Sequence, residues 1–422
     1  MRFQPEVEYL KIHINATTSK QGIVSRKQSA LRTKKRVSQF PPFLIFICNF
    51  IIRIWRIILH EFTENTFFSI SLCAAVITSC FNMPQWSYIN VKVLVCLFEL
   101  MLIVKAYEEY GLLGHIAVKM VNYCRDERRL TMALCLISFL LSMFTTNDVA
   151  VLTVVPILIT IARKCELSAA VPCVLVTVAA NLGSSTTPIG NPQNLYLFSF
   201  FKMSLSSFFR NSLPLCAASL LLLMASSLFI RPKKIQVELK NIPVINKKRA
   251  TTFLLLAVPV IAGVIGLIPY TLTLMLVLLI AIVLNRNLIR KVDYRLLLTF
   301  LFLFIAIGNI SHIPVLKAQI ATLATTPIKT YTSALLLSQI ISNVPCTIML
   351  APFSNHVREL FYGVNIGGLG TPVASLASII SYSLFGQAFS RKKLQFMKIF
   401  LFCNFSLLII LGTAFAFAIM KM

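Results

Sequence analysis

The chain has 422 residues, 57% of them hydrophobic and 13% charged, with a mean hydropathy of +0.81 and a net charge of +26. That composition leaves too little polar surface for a water-soluble domain. The basic residues fall almost entirely between apolar runs, which argues against a nucleic-acid surface and matches the cytoplasmic charge bias of membrane proteins.

Residues 1–40 are polar and basic with no apolar signal region, so they are expected to form a basic cytoplasmic tail. Within 41–62, Asn49, Arg53, Arg56 and His60 share one helical face. Two arginines in a span are costly, so an amphipathic helix lying in the interface is expected there. Spans are expected near 66–84, 89–106, 168–198, 208–230, 251–268, 271–285, 296–311, 362–385 and 398–419, since runs of this length cross a hydrocarbon core of about 30 Å. Glu99 falls inside the second of these, where a structural hydrogen bond is expected. The segment 106–130 is amphipathic, with Glu108 and Glu109 at the interface, and 231–250 is a basic cytoplasmic linker. Two apolar stretches, 130–162 and 331–353, are too long for one helix and are interrupted. Reading both as hairpins that return to their own side puts most of the 40 lysines and arginines in the cytoplasm, with the N-terminus there too.

The interruptions repeat. "TNDVAVLTVVP" (Thr146 to Pro156) matches "SNVPCTIMLAP" (Ser342 to Pro352) in its hydroxyl residue, Asn and Pro. "NLGSSTTPIGN" (Asn181 to Asn191) matches "NIGGLGTPVAS" (Asn365 to Ser375) in Asn, Gly, Thr and Pro. The pairs occur in the same order in the halves 63–230 and 251–422, and in this topology the first hairpin enters from the cytoplasm and the second from outside. The expected fold is an all-α polytopic membrane protein. It carries an inverted-topology repeat with two re-entrant helical hairpins and two broken transmembrane helices (168–198 and 362–385), a plan of secondary transporters. Irregular backbone survives at membrane depth where it lines a cavity or binding site, which explains the glycines and prolines of the breaks. The candidate substrate and ion site is therefore Thr145, Thr146, Asn147, Asp148, Thr187, Pro188, Gly190 and Asn191 from the first half. The second half adds Ser342, Asn343, Thr347, Gly370, Thr371, Pro372 and Ser375.

These motifs resemble the ion transporter superfamily, in particular the citrate-transporter-like permeases, which include sodium–dicarboxylate symporters and arsenite permeases. In the symporters each tip carries Ser-Asn-Thr, which binds substrate carboxylate and helps hold sodium. Asn147 and Asn343 match its Asn, Thr146 and Ser342 the residue before, and a sodium ion near Asn147 and Asn343 is implied. The third position departs, being Asp148 in one half and Val344 in the other, and "Thr-Asn-Asp" is closer to the arsenite and sodium–proton members. The resemblance further implies a homodimer with a fixed scaffold domain and a moving transport domain, an elevator.

No Gly-x-Ser-x-Gly elbow, nucleotide loop or metal-ligand spacing occurs among the five histidines and eleven cysteines, so no enzyme activity, cofactor or metal centre is expected. A cation exchanger needs midplane carboxylates, and the motifs supply only Asp148. The expected function is a secondary active transporter of a small anion, a carboxylate or inorganic oxyanion, in the plasma or inner membrane, coupled to protons or sodium. The alternative is a sodium–proton antiporter or arsenite efflux permease on the same fold.

Overall fold

The computed structural model describes residues 66–121, 124–235 and 246–421. The tail, the expected interfacial helix 41–62 and the centre of the basic linker lie outside the described residues. Residues 1–69 and 70–422 make two separate units. The described residues form α1 (Thr66–Ser79), α2 (Val91–Glu109), α3 (Leu112–Val121), α4 (Glu127–Phe144), α5 (Asn147–Lys164), α6 (Ala170–Ser184), α7 (Pro192–Phe200) and α8 (Leu205–Leu228). After the linker come α9 (Lys247–Val264), α10 (Tyr270–Asn285), α11 (Asn287–Arg290), α12 (Tyr294–Ser311), α13 (Pro314–Thr322), α14 (Pro327–Ile341), α15 (Asn343–Leu350), α16 (Val357–Ile366), α17 (Leu376–Ala388) and α18 (Lys393–Met420). The described part is all-helical. Its α8, α12 and the stretch Ser390–Met420 are each long and apolar enough to cross a membrane unaided.

Polar residues punctuate these apolar helices by capping them. Asn90, Asp126, Ser204 and Asn246 accept from backbone N–H groups at the starts of α2, α4, α8 and α9. Asp293 does so for α12, and Thr326 caps α14 ahead of a proline in its first turn. Each satisfies a donor that has no partner inside the helix. The first expected span closes early, at Ser79 rather than 84. Beyond it Pro84, which has no N–H, leads into a 3-10 turn at Trp86–Tyr88.

Each interrupted stretch is a pair of helices. α4 and α5 meet at Thr145–Thr146 and pack on each other. α14 and α15 meet at Ser342, and α15 folds back so that Cys346 Sγ reaches the Ala334 carbonyl (3.4 Å). The expected spans 168–198 and 362–385 are each broken, between α6 and α7 and between α16 and α17. A backbone clip joins the loop before α4 to the residues after α8, through Glu127 N to Lys233 O (2.9 Å) and Ile235 N to Arg125 O (3.0 Å). Arg163 at the end of α5 donates to the Ala388 carbonyl at the end of α17 (2.7 Å). Elsewhere Asn82 and Tyr88 hydrogen-bond, and Tyr88 meets His312.

Glu99 is fully buried in α2 and accepts from Thr273 of α10 (2.8 Å), the structural bond expected of it. Glu108 and Glu109 are half-exposed or exposed and pair with Lys105 (2.7 Å) and Lys291 (2.5 Å).

Candidate functional site

Both helix pairs hold their broken helix in the same way. Thr187 Oγ1 donates to the Met143 carbonyl at the end of α4 (2.5 Å), and Thr371 Oγ1 donates to the Gln339 carbonyl at the end of α14 (2.8 Å). The two threonines are the matched residues of the repeat. Gly183 sits against Phe139 and Ser142 so closely that a Cβ would strike the Phe139 backbone, and Gly367 sits likewise against Ser338.

The freed backbone groups of each break find side-chain partners. At the first, Asn194 Nδ2 donates to the carbonyls of Ser185 (3.1 Å), Thr187 (3.2 Å) and Ser184 (3.4 Å). At the second, Gln339 Nε2 donates to Gly367 O (2.8 Å) and its Oε1 accepts from Thr371 N (2.9 Å). Between them Gly370 takes φ +98, a conformation glycine adopts without strain. Pro188 and Pro372 follow these threonines, and Pro372 opens a 3-10 turn to Ala374.

The two halves then cross. Asn181 Oδ1 accepts from Ser375 Oγ (2.8 Å), and Asn181 Nδ2 donates to Ser378 (3.4 Å). The matched set runs the other way, since Asn191 Nδ2 donates to Asn365 Oδ1 (3.2 Å) and Asn365 Nδ2 donates to Asn194 Oδ1 (2.9 Å). Asn147 joins the first set, its Nδ2 donating to Asn181 Oδ1 (2.9 Å) and to Ser375 Oγ (3.2 Å). Asn147, Asn181, Asn191, Asn194, Asn365 and Ser375 are all nearly inaccessible. Ser184 joins the two sets into one amide and hydroxyl cluster, its Oγ accepting from Asn191 Nδ2 (3.1 Å) and donating to the Asn181 carbonyl (2.8 Å). At or beside these residues begin α5, α7 and α17, and α15 begins at Asn343, next to Ser342, which donates to the Ala374 carbonyl (3.2 Å); helix starts carry backbone donors without intrahelical partners.

Other expected site residues serve the backbone. Thr145 and Thr347 donate to carbonyls of their own helices, at Leu141 (2.8 Å) and Asn343 (2.6 Å). Thr146 caps α5, and Gly190 packs where a Cβ would meet the Ser184 carbonyl. Ser342 bridges to the Ala374 carbonyl (3.2 Å), and Asn343 is buried beside it. Asp148 lies in the first turn of α5 but hydrogen-bonds none of the amides, and its buried Oδ1 has no partner. Asn181 and Asn365, quoted only as repeat positions, were not among the expected site residues, nor were Asn194, Gln339 and Ser378. Asn194 and Ser378 stand three positions after Asn191 and Ser375, so extending the repeat alignment by one helical turn finds them.

Residues 57–359 match the family model described as "Citrate transporter". An uncharacterized transporter of Methanocaldococcus jannaschii is 32% identical over 75% of this chain and 88% of its own length. The inner membrane protein YbiR of Escherichia coli is 32% identical over 68% of this chain and 78% of its own. The crystal structure of the Alcanivorax borkumensis YdaH transporter shares the fold, with a TM-score of 0.50 and 14% identity, covering 78% of this chain and 84% of that one. The chain thus belongs to the citrate transporter family and is an integral membrane transporter of the citrate and arsenite permease type.

Proposed function

We propose that this protein moves a small anion, a carboxylate or inorganic oxyanion, across the membrane and draws on a proton or sodium gradient to do so. The observation that carries this reading is the convergence of four helix starts on an uncharged cluster of amides and hydroxyls supplied by both halves. Helix N-termini favour negative charge, and oriented amides replace the water an anion sheds. The matched but crossed hydrogen bonds support an inverted repeat, with the helix pairs as re-entrant hairpins and the breaks between them. In this reading α4–α7 and α14–α17 travel together in an elevator, the protein works as a homodimer, and residues 1–40 face the cytoplasm. Asp148 is the coupling group, a half-buried acid whose buried Oδ1 has no partner among the described residues and which holds a proton or a sodium ion.

A second reading, a sodium–proton antiporter or an arsenite efflux permease, is favoured by the same Asp148. Uptake by proteoliposomes containing Asn147→Ala or Asn343→Ala tests the site. Both are expected to be inserted and inactive for anions. Near-normal uptake by either contradicts its place in the site.

A further inference from the structure

Two glutamates of the described residues are buried, and they are treated differently. Glu359, 5% exposed, pairs with Arg358 (2.8 Å). Glu99 of α2, 0% exposed, has no cation bonded to it among the described residues. Its Oε1 lies 2.8 Å from Thr273 Oγ1 of α10, and its buried Oε2 has no partner among the described residues. Thr273 is wedged in place. A Cβ at Gly263 of α9 would stand 2.9 Å from its Oγ1, and that hydroxyl also lies 2.9 Å from the Tyr270 carbonyl at the start of α10. Glu99 therefore sits where α2, α9 and α10 pack together.

The charged groups of the surrounding helices do not reach it. α10 carries no charged side chain, and the cations of α9, Lys247 to Arg249, stand at the end opposite Gly263. On α2 itself Cys96 is buried one turn earlier, and Lys92 turns its Nζ toward Gly266 after α9. His115 and Lys119 of α3, Arg290 of α11 and Arg295 of α12 make no bond to Glu99, and α7 has no charged residue.

A carboxylate at this place would hold its charge against one neutral hydroxyl, with Oε2 bare. A buried charge so poorly compensated is driven to its neutral form. Donation from Thr273 suits a carboxylate, and a neutral acid reverses the bond at the same distance. We propose that Glu99 is a buried proton site, a neutral carboxylic acid that donates to Thr273 and ties α2 to α10. Each proton is then used once. Glu99 donates to Thr273, Thr273 donates to the Tyr270 carbonyl, and Oε2 is the carbonyl oxygen of an acid rather than half of an anion.

Infrared spectra of the purified full chain at neutral pH, unaltered minus Glu99→Gln, test this. Glutamine keeps the shape, the neutrality and an N–H for Thr273. The variant is expected to melt with the unaltered protein, and the difference spectrum to show a protonated-carboxyl stretch. Carboxylate bands in that difference, or a variant that melts higher because a buried charge has been relieved, would overturn the proposal. Thr273→Val is the second variant, and it takes the acceptor away without touching the acid. The same stretch is expected to persist in it and to move to higher frequency, and a stretch that does not move overturns the bond from Glu99 to Thr273.

Discussion

Asn181 and Asn404 are both buried asparagines, at 5% and 0% exposure, and they should respond oppositely to alanine. Asn181 makes three side-chain bonds, at 2.9 Å with Asn147, 2.8 Å with Ser375 and 3.4 Å with Ser378. At about 1 kcal/mol net for each bond, Asn181→Ala should cost about 2–3 kcal/mol of the crossed arrangement, or about 30- to 150-fold in its population. Asn404 donates only to Phe400 O of its own helix (3.0 Å), and its Oδ1 is buried without a partner. Removing it deletes an unpaired acceptor, so Asn404→Ala should be neutral or slightly stabilising. Initial uptake rates in proteoliposomes matched for inserted protein, with melting temperatures alongside, make the comparison. Asn181→Ala should fall by one to two orders of magnitude, and Asn404→Ala should keep its rate. Equal losses in both would refute the claim that the crossed amide cluster, rather than buried polarity in general, carries transport.

Gly183→Ala should destabilise by about 1–3 kcal/mol, since its Cβ meets the rigid Phe139 backbone. Gly412→Ala, whose nearest neighbour is Leu335 Cδ1 at 3.4 Å, should be tolerated, and melting temperatures separate the two. Asp148→Asn keeps the shape and removes the charge. Gradient-driven accumulation should be lost while exchange at zero gradient survives, and accumulation under a proton gradient alone would exclude Asp148 as the proton site. Cysteines placed at Lys240 and Lys392 should label only from the cytoplasmic face, and labelling from outside would overturn the topology.

Much of the site was legible because its punctuation is chemical. Glycine and proline inside apolar runs mark places where helices stop, and Thr187 and Thr371 occur twice because each half needs a hydroxyl to tie its break to its helix pair. What one-dimensional reading missed is partnership across halves. Nothing local says that Asn181 meets Ser375 rather than a residue of its own half, because that pairing arises from how the two repeats pack. Gln339 was missed for a different reason. Its first-half counterpart, Met143, offers only its backbone carbonyl, so alignment of the halves hides the side chain that replaces lost helical bonds at the second break. Asp148 drew attention as an intramembrane acid, yet it stands beside the amides rather than among them, since adjacent helical residues point about 100° apart. The short α13 was also unforeseen, a nine-residue helix opened by Pro314 in a segment without the apolar run of a span.

The central claim is that an uncharged cluster built from two crossed halves moves a small anion at the expense of an ion gradient. Proteoliposomes holding the purified chain, given citrate, succinate, phosphate or arsenate under an imposed proton or sodium gradient, measure this directly. The account predicts that at least one anion accumulates above equilibrium only when a gradient is imposed, and that Asn181→Ala lowers that accumulation. Gradient-independent entry, or transport of sodium against protons with no anion carried, would contradict it.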